Sequence, residues 1–366
     1  MLILNNDDIA KLISMHDIID GIEAAFRDLD SGRTVQRPRT DIYVPTTDSQ
    51  HYYRWGSVDG AAGGVLATRL KSDVITWTRN GDGSLNESKH AIRPGTYCGL
   101  VLLFSTDTGE PLAIMNDGLL QHVRVGASAG IGARMLSRPD ASTVGMIGSG
   151  GMARTYLEAF CAVRPIDRVY VYSRSTQNRE TFAREMSQML GVDIIAVDTP
   201  EKAARQADIL SFCTDSVSPL LDPDWLRPGM HITHLTRGEI PAEAMSLFDV
   251  VVYQGEDGLP LPETPRFRRN IGQSPGAFIG GTEVDLARLP EPIKPPARRG
   301  DAVDAVDVLN GRRPGRTGPE QITYYRNSGN NGVQFAAAGG YVYRRAMAEG
   351  IGYQLPGELF LQNIRN

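Results

Sequence analysis

The sequence predicts an α/β fold built around a parallel, doubly wound sheet, with a mixed helical and antiparallel region ahead of it. Three observations predict it. From Thr143 to Tyr253 short apolar runs alternate with helical ones. A glycine cluster, Gly148 to Gly151, follows directly on the first of those runs. Ahead of them lie two helical stretches and then short β-rich runs separated by Gly, Asn and Asp. Strand–helix alternation gives parallel strands with right-handed crossovers, because each helix must carry the chain back before the next strand begins.

In chain order, Ile9, Leu12 and Ile13 share a helical face, with Asn6 or Asp7 as cap. Ile18, Ile19, Ile22, Ala25, Phe26 and Leu29 form a second face that stops at Ser31-Gly32. After Pro38 the runs at 41–44, 64–68 and 96–104 are β-rich, and Asp107-Thr108-Gly109 predicts a turn into Pro111–Met115. A helix of small residues from Arg124 to Leu136 precedes Arg138-Pro139; its glycines and alanines suit close approach of another backbone or a cofactor. Strands are predicted at 143–147, 168–172, 193–197, 209–213, 230–234 and 250–253, with helices at 152–163, 178–190 and 201–206 between them. The Pro- and Arg-rich stretch 259–299 takes no clear pattern; a strand at 321–325 and a helix at 333–348 close the chain.

A chain of 366 residues has room for two domains. Its 38 basic against 43 acidic side chains, a net charge of −5, argue against a nucleic-acid surface, which needs a basic stripe to displace counterions. The cysteines, Cys98, Cys161 and Cys213, have neither disulfide nor zinc spacing, so reduced thiols and no metal are expected. The opening residues include Asn5, Asn6, Asp7 and Asp8 rather than a basic-then-apolar leader. No apolar run approaches the roughly 20 residues of a membrane helix. The expectation is a soluble, cytoplasmic protein with no membrane partner.

Gly148-Ser149-Gly150-Gly151-Met152-Ala153 fits G-x-G-x-x-A, and strand, glycine turn, helix and second strand follow in the order that pattern requires. Glycines let the backbone approach a pyrophosphate, which then meets the positive end of the helix. The middle of the chain is therefore expected to be a Rossmann domain. The second strand ends Val171-Tyr172-Ser173-Arg174-Ser175, without the acidic residue that would hold an NAD ribose. Arg174 can pair a 2′-phosphate, with Ser173 and Ser175 adding donors, so NADP(H) is favoured over NAD(H). Thr214, just past the strand 209–213, joins the expected cofactor-binding set.

Several segments resemble the ornithine cyclodeaminase/mu-crystallin family in order and separation. They are Arg37-Pro38-Arg39-Thr40, Lys71, Thr108-Gly109-Glu110-Pro111, Arg124-Val125-Gly126-Ala127-Ser128-Ala129, the glycine fingerprint, Pro228 to Ile232, Asn310 to Arg316, and Ser328-Gly329. The resemblance implies a substrate-binding and dimerisation domain of α+β type built from both chain ends, residues 1–126 and 327–366. Around 127–326 it implies the Rossmann domain, and for the whole a homodimer. Arg39, Lys71 and Arg124 match the positions that clamp a substrate carboxylate, with Arg37 and Arg54 as rivals of Arg39. Thr96 matches a position near cofactor and substrate. Glu239 falls at or beside the family's acid–base aspartate and Lys71 is the second catalytic candidate, with His234 competing. Where the family often carries Asp after the glycine turn, this chain has Gln334.

A cation-held carboxylate fixes the α-carbon of an amino or imino acid at hydride distance from a nicotinamide. The expected activity is an NAD(P)-dependent imino acid reductase or amino acid dehydrogenase acting on a small amino, imino or keto acid. A cyclodeaminase lyase with catalytic NAD and a non-enzymatic, crystallin-like binder are the alternatives. A carboxylate at Glu239, together with the cation clamp, disfavours the binder.

Overall fold

The computed structural model describes all residues except 49, 80–84, 92, 94, 217–218, 237, 256–260, 263, 293–297 and 365–366, and the side chains of 79, 85 and 86. Arg237 and parts of the stretch 259–299 therefore fall outside the described residues.

Two sheets organise the chain. The first has ten strands, in the order Phe267–Ile271, Ser274–Ile279, Val35–Pro45, Tyr52–Ala62, Val65–Arg79, Cys98–Ser105, Pro111–Asn116, Leu2–Leu4 and Tyr353–Gln354, with Leu85–His90 pairing the far end of Val65–Arg79. Both chain ends meet here, where Leu2–Leu4 runs antiparallel to Tyr353–Gln354. The hairpin Phe267–Ile279, although it lies within the span 127–326, joins this sheet through Ser274–Ile279, which pairs with Asp41–Tyr43. Helix Asn331–Glu349 lies across the middle strands, and helices Met15–Arg27 and Gly118–Leu136 pack against it.

The second sheet has eight parallel strands, in the order Asp193–Ala196, Arg168–Tyr172, Thr143–Ile147, Ile209–Phe212, His231–His234, Thr323–Arg326, Val250–Tyr253 and Val303–Asp304. The chain leaves Thr143–Ile147 to one side and later returns to its other side. That reversal opens a crevice beyond the carboxyl ends of Thr143–Ile147 and Ile209–Phe212. The fold is thus the expected α/β arrangement, a Rossmann sheet beside an α+β unit made from both chain ends. Among the described residues no helix is long and apolar enough to cross a membrane.

Some elements differ from the sequence reading, for local reasons. The first helix is capped by Asn5, not by Asn6 or Asp7. Its side chain accepts the Asp8 N–H at 2.9 Å while the Asp8 carboxylate accepts the Asn5 N–H, a reciprocal capping box. Strand Tyr52–Ala62 has no counterpart in the reading, because Gly56, Gly60 and the polar residues Arg54, Ser57 and Asp59 interrupt its alternation. The strand starting at Val65 runs to Arg79, well past Thr68. Asp107 to Gly109 does turn the chain between Cys98–Ser105 and Pro111–Asn116, with Gly109 at φ +76°.

The return of the chain to the first unit includes one very tight backbone contact. A Cβ on Gly332 would stand 1.9 Å from the carbonyl oxygen of Asp59, so helix Asn331–Glu349 begins in direct contact with strand Tyr52–Ala62. Gly332→Ala must push the two apart. The expected cost is at least the ~1–3 kcal/mol of an overpacked core, measured as a lowered midpoint of urea unfolding.

Candidate active site

The glycine turn has the shape a dinucleotide needs. Gly148 takes φ +114°, and a Cβ there would lie 2.2 Å from the Cys213 carbonyl oxygen. Only glycine lets the turn close on the neighbouring strand. Gly150 then caps helix Gly151–Val163, and nothing stands within 4 Å of the place its Cβ would occupy. Met152 sits in the first turn of that helix, where backbone N–H groups lack intrahelical partners and favour an anion. Open space at the amino end of a helix, in the crevice of a parallel sheet, fits a pyrophosphate. Ser149 Oγ donates to Ser173 Oγ at 3.0 Å, tying the turn to the end of the second strand. Ser175 caps the following helix, and Arg174 beside it is exposed and forms no ion pair among the described residues.

Glu239 lies at the far side of the same crevice and is fully buried. Its carboxylate accepts four hydrogen bonds, from Thr214 N (2.7 Å), Thr214 Oγ1 (2.8 Å), Leu235 N (2.9 Å) and Thr236 N (2.7 Å). Burial pushes its pKa up, and these donors oppose the rise. Glu239 thus ties together the two loops that follow strands Ile209–Phe212 and His231–His234. Thr214, expected near the cofactor, has both its donors turned onto Glu239. His231 and His234 are buried: His231 Nδ1 meets Thr323 Oγ1 at 3.0 Å, and His234 Nδ1 meets the Thr236 carbonyl at 2.7 Å.

The carboxylate-binding candidates lie on the first sheet and the helices over it. Along Val65–Arg79 the residues Val65, Ala67, Arg69, Lys71, Asp73 and Ile75 share one face, because side chains alternate along a strand. Val65 and Ala67 belong to the apolar cluster beneath the helices, and Ile75 to a second cluster with Tyr43, Tyr52 and Ile271. Between the two lies a band of charge. Arg54, opposite Asp73 in the pairing, is completely buried; its Nη2 donates to Asp73 Oδ2 at 2.8 Å and its Nη1 to Glu87 Oε1 at 2.6 Å. Lys71 Nζ reaches the same Asp73 oxygen at 3.0 Å. Arg69 pairs with Asp117. Arg39 grips the buried Asp41 with two donors, and its third nitrogen is left near the Gln273 carbonyl.

Arg124 stands apart. It is buried and stacks over Phe335 with 4.8 Å to the ring centroid, and its hydrogen bonds go to neutral amides: Asn331 Oδ1 at 2.7 Å, Gln334 Oε1 at 2.8 Å and Gln121 Oε1 at 2.9 Å. Its Nε has no hydrogen-bond partner. No carboxylate among the described residues pairs with it. Burial first, then Arg69, lowers its pKa to about 9. Gln334 meets this arginine with a neutral amide oxygen, which satisfies a donor without cancelling its charge. Lys71 is pushed down to about 6, by burial and then by the cations Arg39, Arg54 and Lys89, with Asp73 opposing.

Arg39 therefore lies within electrostatic reach of both Lys71 and Arg124. Thr96 is exposed, its hydroxyl turned back to the Arg93 carbonyl at 2.7 Å. Asp41, Arg69, Asp73, Glu87, Asp117 and Asn331 were missed by the sequence reading. The signal for two of them was present: Arg69 and Asp73 flank Lys71 and place charges at every second residue of a strand, on a face that must be buried.

Fold and glycine turn together define a nicotinamide-dinucleotide enzyme. The chain belongs to the ornithine cyclodeaminase/mu-crystallin family, whose model matches residues 1–246. It is 25% identical over 362 residues to the Delta(1)-pyrroline-2-carboxylate reductase of Bacillus cereus, covering 97% of this chain and 99% of that protein. The structure of the Thermococcus litoralis Delta(1)-pyrroline-2-carboxylate reductase with NADH and L-proline is similar with a TM-score of 0.73 and 24% identity, covering 97% of this chain and 100% of the other. An archaeal alanine dehydrogenase dimer with bound NAD gives 0.70 at 23% identity, covering 97% of this chain and 99% of that one.

Replacing the central cation tests the charge band. Arg54→Met leaves the buried Glu87 without its cation and Asp73 with Lys71 alone. An expected loss of about 3–5 kcal/mol, the usual cost of breaking a buried pair, appears as a lower urea midpoint.

Proposed function

We propose that the protein is an NAD(P)-dependent oxidoreductase that transfers hydride to or from the α-carbon of an imino or amino acid, with reduction of the imino acid as its principal direction. The observation that carries this reading is Arg124, a buried guanidinium with an unpartnered Nε and no acidic partner among the described residues. Arg124 anchors the substrate carboxylate, and the positive charge of Arg39 assists. Lys71, already engaged by Asp73, handles the proton at the substrate nitrogen rather than the carboxylate. The bound nicotinamide supplies or accepts the hydride. Gly148 to Met152 hold the pyrophosphate, and Ser149 orders the turn. Glu239, saturated by four donors, shapes the walls around the cofactor by fixing the loops at Thr214 and Thr236.

NADP(H) is the favoured cofactor. The support is the exposed, unpaired Arg174 between Ser173 and Ser175, with no carboxylate at the end of the second strand to repel a 2′-phosphate. The protein is proposed to work as a homodimer in the cytoplasm. Ile42, Val44 and Phe278 form an exposed apolar patch on paired strands, 42–44% accessible, that suits a second copy. The three cysteines are unpaired, which suits a reducing compartment.

Loss of NADPH absorbance with a panel of α-keto acids and ammonia or methylamine tests the activity. Turnover of at least one acid is expected; proline and ammonia from ornithine with NAD⁺, and no reduction of any acid, would make the protein a lyase instead. Lys71→Met is expected to lower turnover by roughly 10²–10⁴-fold with dinucleotide affinity unchanged. Because Lys71 loses its proton as pH rises through about 6, kcat/KM for imine reduction falls above that pH. Amine oxidation, which needs the neutral lysine, rises through it. In steady-state comparison NADPH is expected to exceed NADH by about tenfold in kcat/KM, and Arg174→Ala to erase the difference, as loss of one charge-assisted phosphate contact implies.

A further inference from the structure

The charge band contains a carboxylate that the proposed chemistry does not use directly. Asp73 is buried, and a single oxygen of it, Oδ2, receives both Arg54 Nη2 at 2.8 Å and Lys71 Nζ at 3.0 Å. Arg54 cannot swing away. Its other arm is fixed on Glu87 Oε1, and Glu87 Oε2 is held in turn by Trp77 Nε1 at 3.1 Å and by the backbone N–H of Gln273 at 3.2 Å. The chain of contacts therefore runs from the turn of the hairpin Phe267–Ile279, through Glu87 and Arg54, to Asp73 and Lys71.

The other charges around Lys71 are largely spoken for. Arg39 is spent on Asp41, and Arg69 on Asp117. Lys89, on the strand paired with the far end of Val65–Arg79, adds positive charge. Asp73 is the one acid in ion-pair contact with Lys71 among the described residues. A lysine so buried and so crowded by cations would without Asp73 surrender its proton at still lower pH.

We propose that Asp73 is a positioning residue which, pinned by Arg54, holds the Lys71 ammonium in place and keeps on it the proton destined for the substrate nitrogen. This rests on Lys71 being the proton-handling group. The contrary view makes Arg54, Asp73 and Glu87 a brace between strands, with no influence on the charge of Lys71.

The sequence holds five lysines, Lys11, Lys71, Lys89, Lys202 and Lys294, so the side-chain ε-carbons of protein labelled with ε-13C lysine give few signals, and Lys71→Met assigns the one of interest. Following that signal against pH needs no turnover, which separates failure of this proposal from failure of the assigned activity. In Asp73→Asn the Lys71 midpoint is expected to fall by about one unit or more, the usual effect of losing an opposite charge at this range. In Asp73→Glu it stays closer to that of the unaltered protein. With an active substrate, kcat/KM for reduction at neutral pH drops about tenfold in Asp73→Asn, following the protonated fraction, and dinucleotide affinity is unchanged. A folded Asp73→Asn protein with an unmoved Lys71 midpoint overturns the proposal. The reciprocal measurement leaves Asp73 in place. In Lys71→Met its carboxyl carbon is expected to titrate at higher pH than in the unaltered protein, and an unmoved Asp73 overturns the proposal equally.

Discussion

The site depends on burying an arginine, Arg54, in the middle of an antiparallel sheet. A guanidinium taken wholly out of water is tolerated only where acids meet it with good geometry. Asp73 and Glu87 do so here, from two further strands. Their presence sets the electrostatics of everything nearby: one acid is shared with Lys71, and the other couples the sheet to the hairpin Phe267–Ile279. Arg39 and Arg69 follow the same rule, each with its own aspartate. Arg124 breaks it. Its amide partners satisfy donors without cancelling charge, and the remaining attraction is available to a ligand.

Within the parallel sheet the constraint is steric. The turn after Thr143–Ile147 must pass so close to Cys213 that no side chain fits at Gly148. The same closeness brings the loops after Ile209–Phe212 and His231–His234 under one carboxylate, Glu239. One half of the molecule thus contributes open space where side chains are missing, and the other a buried band of charge.

The parallel sheet was legible in the sequence because its strands are short, apolar and regularly separated by helices, and because the glycine pattern falls between a strand and a helix. The dinucleotide residues followed from that placement. The first sheet was less legible. Strand Tyr52–Ala62 and the far half of Val65–Arg79 carry charges on the buried face, so the apolar alternation that marks a strand is absent where the site lies. Lys71 and Arg124 were found through family resemblance, but their partners were not, since Asp73, Glu87 and Asp117 are ordinary acids until the pairing of strands places them. Glu239 was placed by alignment to an acid–base position. The geometry shows four donors on it, which no spacing in the sequence could reveal.

The route of the chain through the first sheet also bears on how the protein is made. Strand Val35–Pro45 receives its neighbour Ser274–Ile279 only after the parallel sheet has mostly been synthesised, and the helix covering the middle strands comes later still, at Asn331–Glu349. At ordinary rates of translation the interval is on the order of tens of seconds. Throughout it an edge strand and an apolar sheet face stand without their partners. Such long-range closure slows folding and exposes the nascent chain to wrong pairings. A vectorial order, first unit then second, is closed to this molecule: the Rossmann half can complete itself early, whereas the half with the charge band waits for helix Asn331–Glu349 to leave the ribosome.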